Sequence, residues 1–280
     1  MSTGTRVLRH ASEHGSWELV TRAPDPRLRG HVGDYQGYLE SGTPTRQQVP
    51  APLIPIIVNF GSRWNIASAV DGAAVAYDSF AAGLGVGSSY VAAAGPATCV
   101  QVNLTPLGAY MFFGFALHEI ANEVVPLEAL LPRTLAHLAE QLDDAKSWEA
   151  RFELLDAVFL ARLAEARTPT VEVAWAWTIL ERTHGTAPIG WICDRLGRSR
   201  RHLARRFRDE VGLPPKTIAR IMRFDRAVFL LGREDAELAD VAFECGYYDQ
   251  AHLNREFREF AGTSPGAFVR RIVPEGGVIV

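Results

Sequence analysis

A repeat with an offset of 50 residues constrains this chain more than any other feature of its sequence. Residues 199–215 and 249–265 are identical at seven of seventeen aligned positions. The identical pairs are His202/His252, Leu203/Leu253, Arg205/Arg255, Phe207/Phe257, Arg208/Arg258, Gly212/Gly262 and Pro215/Pro265. The sequence therefore predicts two copies of one small supersecondary unit in the C-terminal third of the chain.

Each copy has the pattern of a helix, a tight turn and a second helix. Apolar residues recur at helical spacing before the turn, at Ile189, Ile192 and Leu196 and again at Leu238, Val241 and Cys245. A glycine then permits the positive φ of a sharp helix end, and Ser199 or Asp249 supplies an oxygen that caps the next helix. We predict two helix-turn-helix units, called here the first unit (residues 189–212) and the second unit (residues 238–262).

The second helix of each unit exposes a polar, basic face. With Leu203 and Phe207 inward, a turn of about 100° per residue exposes Arg201, Ala204, Arg205 and Arg208. In the second unit it exposes Ala251, Asn254, Arg255 and Arg258. Six arginines and no acid lie within residues 198–208. Their mutual repulsion destabilises the segment unless a polyanion or a neighbouring carboxylate offsets it. Because guanidinium groups bind phosphate and guanine edges, we predict double-stranded DNA as the partner.

Residues 170–272 resemble the DNA-binding domain of the AraC/XylS transcriptional regulators. The matching residues around the first unit are Leu196, Gly197, Arg198, Ser199, Leu203, Arg205, Phe207, Gly212 and Pro215. Those that follow are Arg223, Ala227, Leu230, Leu231, Val241, Ala242, Gly246, Tyr247, Asp249, Gln250, His252, Leu253, Arg255, Phe257, Gly262, Ser264 and Pro265. The resemblance implies two units joined by a long helix, with both second helices in successive major grooves on one face of DNA.

The resemblance also implies which residues touch DNA. The base-reading positions correspond to Arg201, Ala204, Arg205, Gln250, Ala251, Asn254 and Arg255, and the predicted DNA-binding set adds Ser199, Arg200, Arg208 and Arg258. Ala204 departs from the polar residue of some relatives and offers at most a thymine-methyl contact. Transcriptional activation, with RNA polymerase as a second partner, is the family expectation, although no residue separates activation from repression.

The two units differ in charge. Residues 198–208 carry a net charge of +6, whereas residues 249–260 carry two arginines against three acids, a net charge of −1. We expect the first unit to supply most of the affinity for phosphate, and the second to add selectivity or to be easily displaced. A connecting helix over about residues 216–231 would span roughly 24 Å, a plausible spacer for two recognition helices.

The first half of the chain has the pattern of a sheet followed by helices. Short apolar or alternating runs at residues 17–20, 53–60 and 98–104 predict strands, while glycine-rich residues 80–95 predict turns or a bulged edge. From Pro106 the spacing becomes helical, and an apolar stripe from Trp148 to Phe159 favours core packing over a dimer surface. The predicted fold class is α+β: an N-terminal β-rich domain with appended helices, and a C-terminal all-α domain of two helix-turn-helix units joined by a long helix.

We predict three segments: a β-rich effector-binding or dimerisation domain with C-terminal helices (1–168), the DNA-binding domain (169–274) and a tail (275–280). Residues 15–165 are similar to a β-rich module of the same regulators at residues 52–55, 105–109 and 127–128. Six polar or aromatic residues are candidates to line an effector cavity, or to fill the core instead: Tyr38, Asn59, Arg63, Trp64, Gln101 and Asn103. An effector-controlled regulator and a constitutive regulator whose first domain only mediates dimerisation or protein contacts both remain open.

Other functional classes lack support in the sequence. The sequence lacks the Gly-x-Ser-x-Gly motif of hydrolases, the phosphate-binding loop, the dinucleotide-binding fingerprint and the His-Glu-x-x-His zinc helix. We therefore predict no enzymatic activity and no cofactor. The histidines lack the His-x-His spacing of a metal site, so we predict no metal. The longest nearly uncharged apolar stretch, Leu107 to Leu117, is about half of what a bilayer requires. With no membrane span, no secretory signal and three widely spaced cysteines, a cytoplasmic protein with reduced thiols is expected.

Overall fold

The computed structural model describes residues 4–12, 15–70, 72–131, 137–233, 235–273 and 277–279. The strands are β1 (Arg6–Ser12), β2 (Gly15–Arg22), β3 (Val32–Glu40), β4 (Arg46–Gln48), β5 (Ile54–Asn59), β6 (Trp64–Ala67), β7 (Val75–Tyr77), β8 (Phe80–Ala82), β9 (Ser89–Ala93), β10 (Ala97–Leu104), β11 (Val124–Pro126), β12 (Ile272–Val273) and β13 (Gly277–Ile279). The helices are α1 (Pro106–Phe113), α2 (Leu127–Leu130), α3 (Leu138–Asp144), α4 (Trp148–Ala164), α5 (Val171–Arg182), α6 (Ile189–Leu196), α7 (Arg200–Val211), α8 (Pro215–Leu231), α9 (Leu238–Glu244), α10 (Gln250–Ala261) and α11 (Pro265–Val269).

The described strands form two antiparallel sheets. One has the order β1-β2-β3-β10-β5-β8-β11 and the other the order β12-β13-β4-β9-β6-β7. The three predicted strands correspond to β2, β5 and β10, and β10 pairs with both β3 and β5. Val100, Val102 and Leu104 face one side of β10 and are buried, as their alternation predicts.

The two faces of the larger sheet pack against different partners. One face, with Val100 and Val102, joins a core that contains Phe112 of α1 and Phe152 and Phe159 of α4. The opposite face packs on the second sheet through a smaller cluster: Ile57, Trp64, Ile66, Phe80, Ala93, Ala97 and Cys99. The apolar stripe of α4 is therefore core, where Tyr35 stacks on Phe152 at 5.6 Å.

The glycine-rich segment contains more strand than its sequence predicts. Residues 80–82 form β8 between β5 and β11, and residues 89–93 form β9 between β4 and β6. Each strand is only three to five residues long, too short to show a period-two pattern beside so many glycines. Long-range pairing decides these strands, and the glycines at 83, 85 and 87 form the loop between them.

The C-terminal part is the predicted helical domain, and the fold class is confirmed as α+β. The two helix-turn-helix units are α6–α7 and α9–α10, and α8 connects them. Ile218, Ile221 and Met222 of α8 are buried, while Val228 is half-buried at the edge of the core. At 1.5 Å per residue, the 17 residues of α8 span about 25 Å.

The end of the chain differs from the predicted tail. Residues 277–279 form β13, which pairs with β4 of the second sheet, and residues 272–273 form β12 where continued helix was expected. Backbone pairing at an open sheet edge accounts for this, since it needs little side-chain pattern. The predicted boundary at Pro274 and residues 275, 276 and 280 lie outside the described residues.

The two domains share one buried core. Phe113 of α1 and Leu117 of a short 3₁₀ turn, Leu117–Ile120, belong to the same cluster as Phe207 and Val211 of α7. A second contact joins the sheet to α10, where Gln47 Nε2 donates to Ala261 O at 2.8 Å. No helix in the described part of the chain is long and apolar enough to cross a bilayer.

Two ion pairs that join α8 to the second unit differ in burial, so breaking each pair should cost a different amount of stability. Glu256 is 3% exposed and pairs with Arg220 at 2.6 Å, whereas the Glu244 side chain is half-exposed and pairs with Arg226 at 2.7 Å. Glu256→Ala removes a buried carboxylate and leaves the partly exposed Arg220 with Glu259 alone, so it should lower the free energy of unfolding by about 2 kcal/mol. The control Glu244→Ala should lower it by about 0.5 kcal/mol. Chemical denaturation measures both, and equal losses would contradict the assignment.

Candidate nucleic-acid interface

The turn of each unit has the geometry that its sequence predicts. Gly197 adopts a left-handed φ of 61°, and Ser199 Oγ accepts a hydrogen bond from His202 N at 3.2 Å. In the second unit Gly246 has a φ of 71°, and Asp249 Oδ1 accepts from His252 N at 2.7 Å. The matched caps start α7 and α10 at equivalent positions, so the two recognition helices begin alike.

One face of α7 is buried and the opposite face is basic. Leu203 and Phe207 are both 0% exposed, while Arg201, Arg205 and Arg208 are exposed. These three arginines line an open concavity of about 490 Å³ together with Ser199 and His202. Arg200 is also exposed, and Ala204 is half-buried at the border of the face. The predicted residues of the first unit thus lie together on one surface.

Neighbouring carboxylates compensate only part of the arginine cluster. Arg198 pairs with Glu172 at 2.8 Å, and Arg206 pairs with the buried Glu210 at 3.7 Å. Among the described residues no carboxylate lies within 4.0 Å of the other four: Arg200, Arg201, Arg205 and Arg208. Four guanidinium groups therefore remain available to an anionic partner.

The second recognition helix presents a smaller basic surface. Gln250, Ala251, Arg255 and Arg258 are exposed and Asn254 is half-buried. Both glutamates of α10 turn toward the connecting helix, since Glu256 and Glu259 pair with Arg220 of α8 at 2.6 and 2.5 Å. The net charge of −1 counted from the sequence therefore overstates the acidity of the exposed face, and the two units differ less than predicted.

Sequence reasoning missed one exposed residue at this surface. Tyr248 is 93% exposed in the turn before α10, and its backbone N donates to His252 Nδ1 at 3.4 Å. Its position directly before the capping Asp249 was the available signal, because a core aromatic is not expected in a polar turn. Its ring is exposed to solvent beside the start of the second recognition helix.

Known proteins contain a domain similar to the one that α6 to α10 form. Residues 192–271 match a family model described as a helix-turn-helix domain. The chain is 29% identical over 160 residues to the HTH-type transcriptional activator RhaR of Klebsiella pneumoniae, covering 55% of this chain and 51% of RhaR. It is 30% identical over 84 residues to the HTH-type transcriptional activator RhaS of Escherichia coli, covering 29% of this chain and 30% of RhaS. Residues 192–271 are therefore a helix-turn-helix domain that resembles those of the AraC/XylS transcriptional regulators.

A solved structure of ToxT from Vibrio cholerae is also similar, with 9% identity, a TM-score of 0.49, and coverage of 97% of this chain and 99% of ToxT.

The chain spans about half the length of RhaR and less than a third of RhaS. These curated relatives of the AraC/XylS-type domain are named as transcriptional activators, which are not enzymes.

Three of the six candidate effector residues have structural roles outside the AraC/XylS-type domain. Arg63 pairs with Asp78 at 2.7 Å on an exposed surface. Asn59 closes the turn between β5 and β6 by donating to Gly61 O and Ser62 O at 3.2 Å. Trp64 is 7% exposed in the core between the sheets, where its Nε1 donates to Asn59 Oδ1 at 3.2 Å.

The other three candidates share the inner face of the larger sheet. Tyr38 is paired with Cys99 across β3 and β10, so it points to the same side as Gln101 and Asn103. Gln101 Nε2 donates to Asn103 Oδ1 at 2.9 Å, and Tyr38 packs on the cluster between the sheets. The structure brings these three side chains to one face, Trp64 packs in the cluster that this face covers, and Asn59 and Arg63 lie elsewhere.

The thiols and the acidic groups form no second site in the described residues. Cys99, Cys193 and Cys245 are free and buried. Burial raises the pKa of the Cys99 thiol to about 12 and that of Cys245 to about 11, which disfavours the reactive thiolate. Within the described ranges no group of three or more histidines, cysteines or acids is arranged to hold a metal ion.

Neighbouring arginines of α7 provide a matched test of the AraC/XylS-type surface. Arg205 is exposed on the basic face, whereas Arg206 lies on another side of the helix beside Glu210. Arg205→Ala should weaken DNA binding by about 1 to 3 kcal/mol and lower the salt slope by about one. Arg206→Ala removes the same charge and should cost clearly less affinity. Fluorescence titration at several salt concentrations compares them, and equal losses would show that only net charge matters.

Proposed function

We propose that this chain is a sequence-specific DNA-binding transcriptional regulator whose two recognition helices enter successive major grooves of one duplex. The proposed contact set in the first unit is Ser199, Arg200, Arg201, Ala204, Arg205 and Arg208. In the second unit it is Gln250, Ala251, Asn254, Arg255 and Arg258. The chemistry of the set is that of a major-groove surface, rich in guanidinium and amide donors.

The observation that carries the proposal is the uncompensated arginine face of α7. A protein that merely solvates a helix pairs its cations with acids, as Arg198 and Arg206 are paired. Four exposed guanidinium groups that have no carboxylate partner among the described residues repel one another, and bound phosphate removes that cost. The helix is repeated in the second unit, where Arg255 and Arg258 form a smaller basic face.

The residue types suggest how bases are distinguished. Arg201 and Arg205 suit the O6 and N7 acceptors of guanine, and Asn254 and Gln250 suit the N6 and N7 of adenine. Ala204 and Ala251 offer only methyl contacts to thymine. The 25 Å span of α8 and its flanking turns fit two major grooves about 34 Å apart on one side of the duplex.

Selection from random duplexes tests the proposal. The purified full chain should enrich a bipartite site with two subsites about one helical turn apart, and footprinting should protect both on one face. A scrambled duplex of the same composition is the control. Equal affinity for selected and scrambled duplexes at low salt would refute sequence-specific binding.

The unequal charge of the two units leads to a further prediction. Four exposed arginines within residues 198–208 have no acidic partner among the described residues, whereas α10 exposes Arg255 and Arg258 on a helix capped by Asp249. Arg205→Ala should therefore cost more affinity and more salt slope than Arg255→Ala. Titration of both variants on the selected duplex measures the difference. Equal losses of affinity and equal salt slopes in the two variants would contradict the predicted asymmetry.

The remaining roles extend this proposal. We propose that the chain works in the cytoplasm as an activator that contacts RNA polymerase, and that the N-terminal domain adjusts DNA binding. For a small-molecule effector the face of the larger sheet that carries Tyr38, Gln101 and Asn103 is the candidate position. The alternative is a homodimer contact without a ligand.

A metabolite screen by thermal shift separates the two roles. A ligand at 100 times its dissociation constant adds about 2.7 kcal/mol of stability, and Gln101→Leu should remove that shift if the ligand lies on that face of the larger sheet. Light scattering of the same samples reports dimers. A dimer whose stability no metabolite changes would favour the alternative.

A further inference from the structure

The glycine-rich loop between β8 and β9, residues 83–88, is not used by the DNA-binding surface, yet it is tightly fixed. Gly83 N donates to Glu123 O at 2.9 Å, and Asn122 N donates to Leu84 O at 2.9 Å. Asn122 Oδ1 also accepts from Val86 N at 3.3 Å. These bonds attach the loop to the residues that directly follow the 3₁₀ turn Leu117–Ile120.

Gly83 lies against the backbone of that turn. A Cβ on Gly83 would be 1.8 Å from Ile120 O, and real Cβ atoms do not approach closer than about 3.0 Å. Any side chain at this position must therefore displace the 3₁₀ turn or the loop by at least 1.2 Å, the difference between those distances. Gly87 in the same loop has no atom within 4 Å of such a Cβ.

The other side of the 3₁₀ turn contacts the first recognition helix. His118 Nδ1 lies 3.4 Å from Asp209 Oδ1 of α7. Leu117 is 1% exposed and lies against Gly212, where a Cβ would be 3.4 Å from Leu117 O. Because Leu117 and Val211 share one close-packed core, a shift of the turn is transmitted to α7.

We propose that residues 83–88, acting through the 3₁₀ turn Leu117–Ile120, position the first recognition helix for DNA binding. A direct base contact requires donor and acceptor within about 2.7 to 3.2 Å, so a displacement of 1 Å is enough to lose it. The second recognition helix contacts the sheets through a different residue, Gln47. The loop therefore affects the DNA subsite bound by the first unit, called the first subsite, and leaves the second subsite, bound by the second unit, unaffected.

The test rests on the proposed DNA-binding function and uses the duplex selected by the wild-type chain. Gly83→Ala should reduce affinity about tenfold, with footprint protection lost over the first subsite and retained over the second. The matched variant Gly87→Ala should bind like the wild type at both subsites. Uniform loss at both subsites, or no loss in Gly83→Ala, overturns the proposal.

A surface variant keeps the test decisive if Gly83→Ala does not fold. His118→Ala removes the half-exposed contact with Asp209 and should weaken the first subsite about threefold without changing the melting temperature. Its control is His137→Ala, which removes an exposed histidine–carboxylate pair with Glu140 remote from α7 in sequence. Unchanged binding in a folded His118→Ala overturns the proposal. A wild-type chain that prefers no duplex refutes the DNA-binding function itself, a separate outcome.

Discussion

The burial of Leu203 and Phe207 is the constraint on which the functional surface depends. Both side chains are 0% exposed, and each contributes about 1.5 to 3 kcal/mol when it leaves water. Since they lie four residues apart on one side of α7, their burial fixes the rotation of the helix and sets the arginines outward. Leu253 and Phe257 do the same for α10. The orientation of polar groups is thus a consequence of apolar packing.

Ion pairing then decides which arginines stay available. Carboxylates lie beside arginines outside this face, as Glu172 does for Arg198 in the turn before α7 and Glu256 for Arg220 of α8. The exposed face of α7 has no such partner among the described residues. A chain with a net charge of −3 therefore carries a local positive surface, because charge acts at short range once salt screens it.

The continuity of the core links the sheets to the DNA-binding domain. The 3₁₀ turn Leu117–Ile120 touches both the loop after β8 and the end of α7, and Gln47 binds the end of α10. Each recognition helix consequently has its own contact with the N-terminal domain. A displacement in the sheets can therefore reach each recognition helix through a separate contact, because packed interiors transmit displacement.

The sequence by itself determined the two helix-turn-helix units, their caps and the face that carries Arg201 and Arg205, because helix period and turn chemistry are local. Strands with clear alternation, such as β10, were predictable for the same reason. Only the tertiary structure decided that residues 80–82 and 277–279 are strands, since pairing with distant segments forms them. It also decided that Glu256 faces the connecting helix and that Asn59, Arg63 and Trp64 have structural roles. Those outcomes depend on which distant groups meet, and no local pattern encodes such contacts.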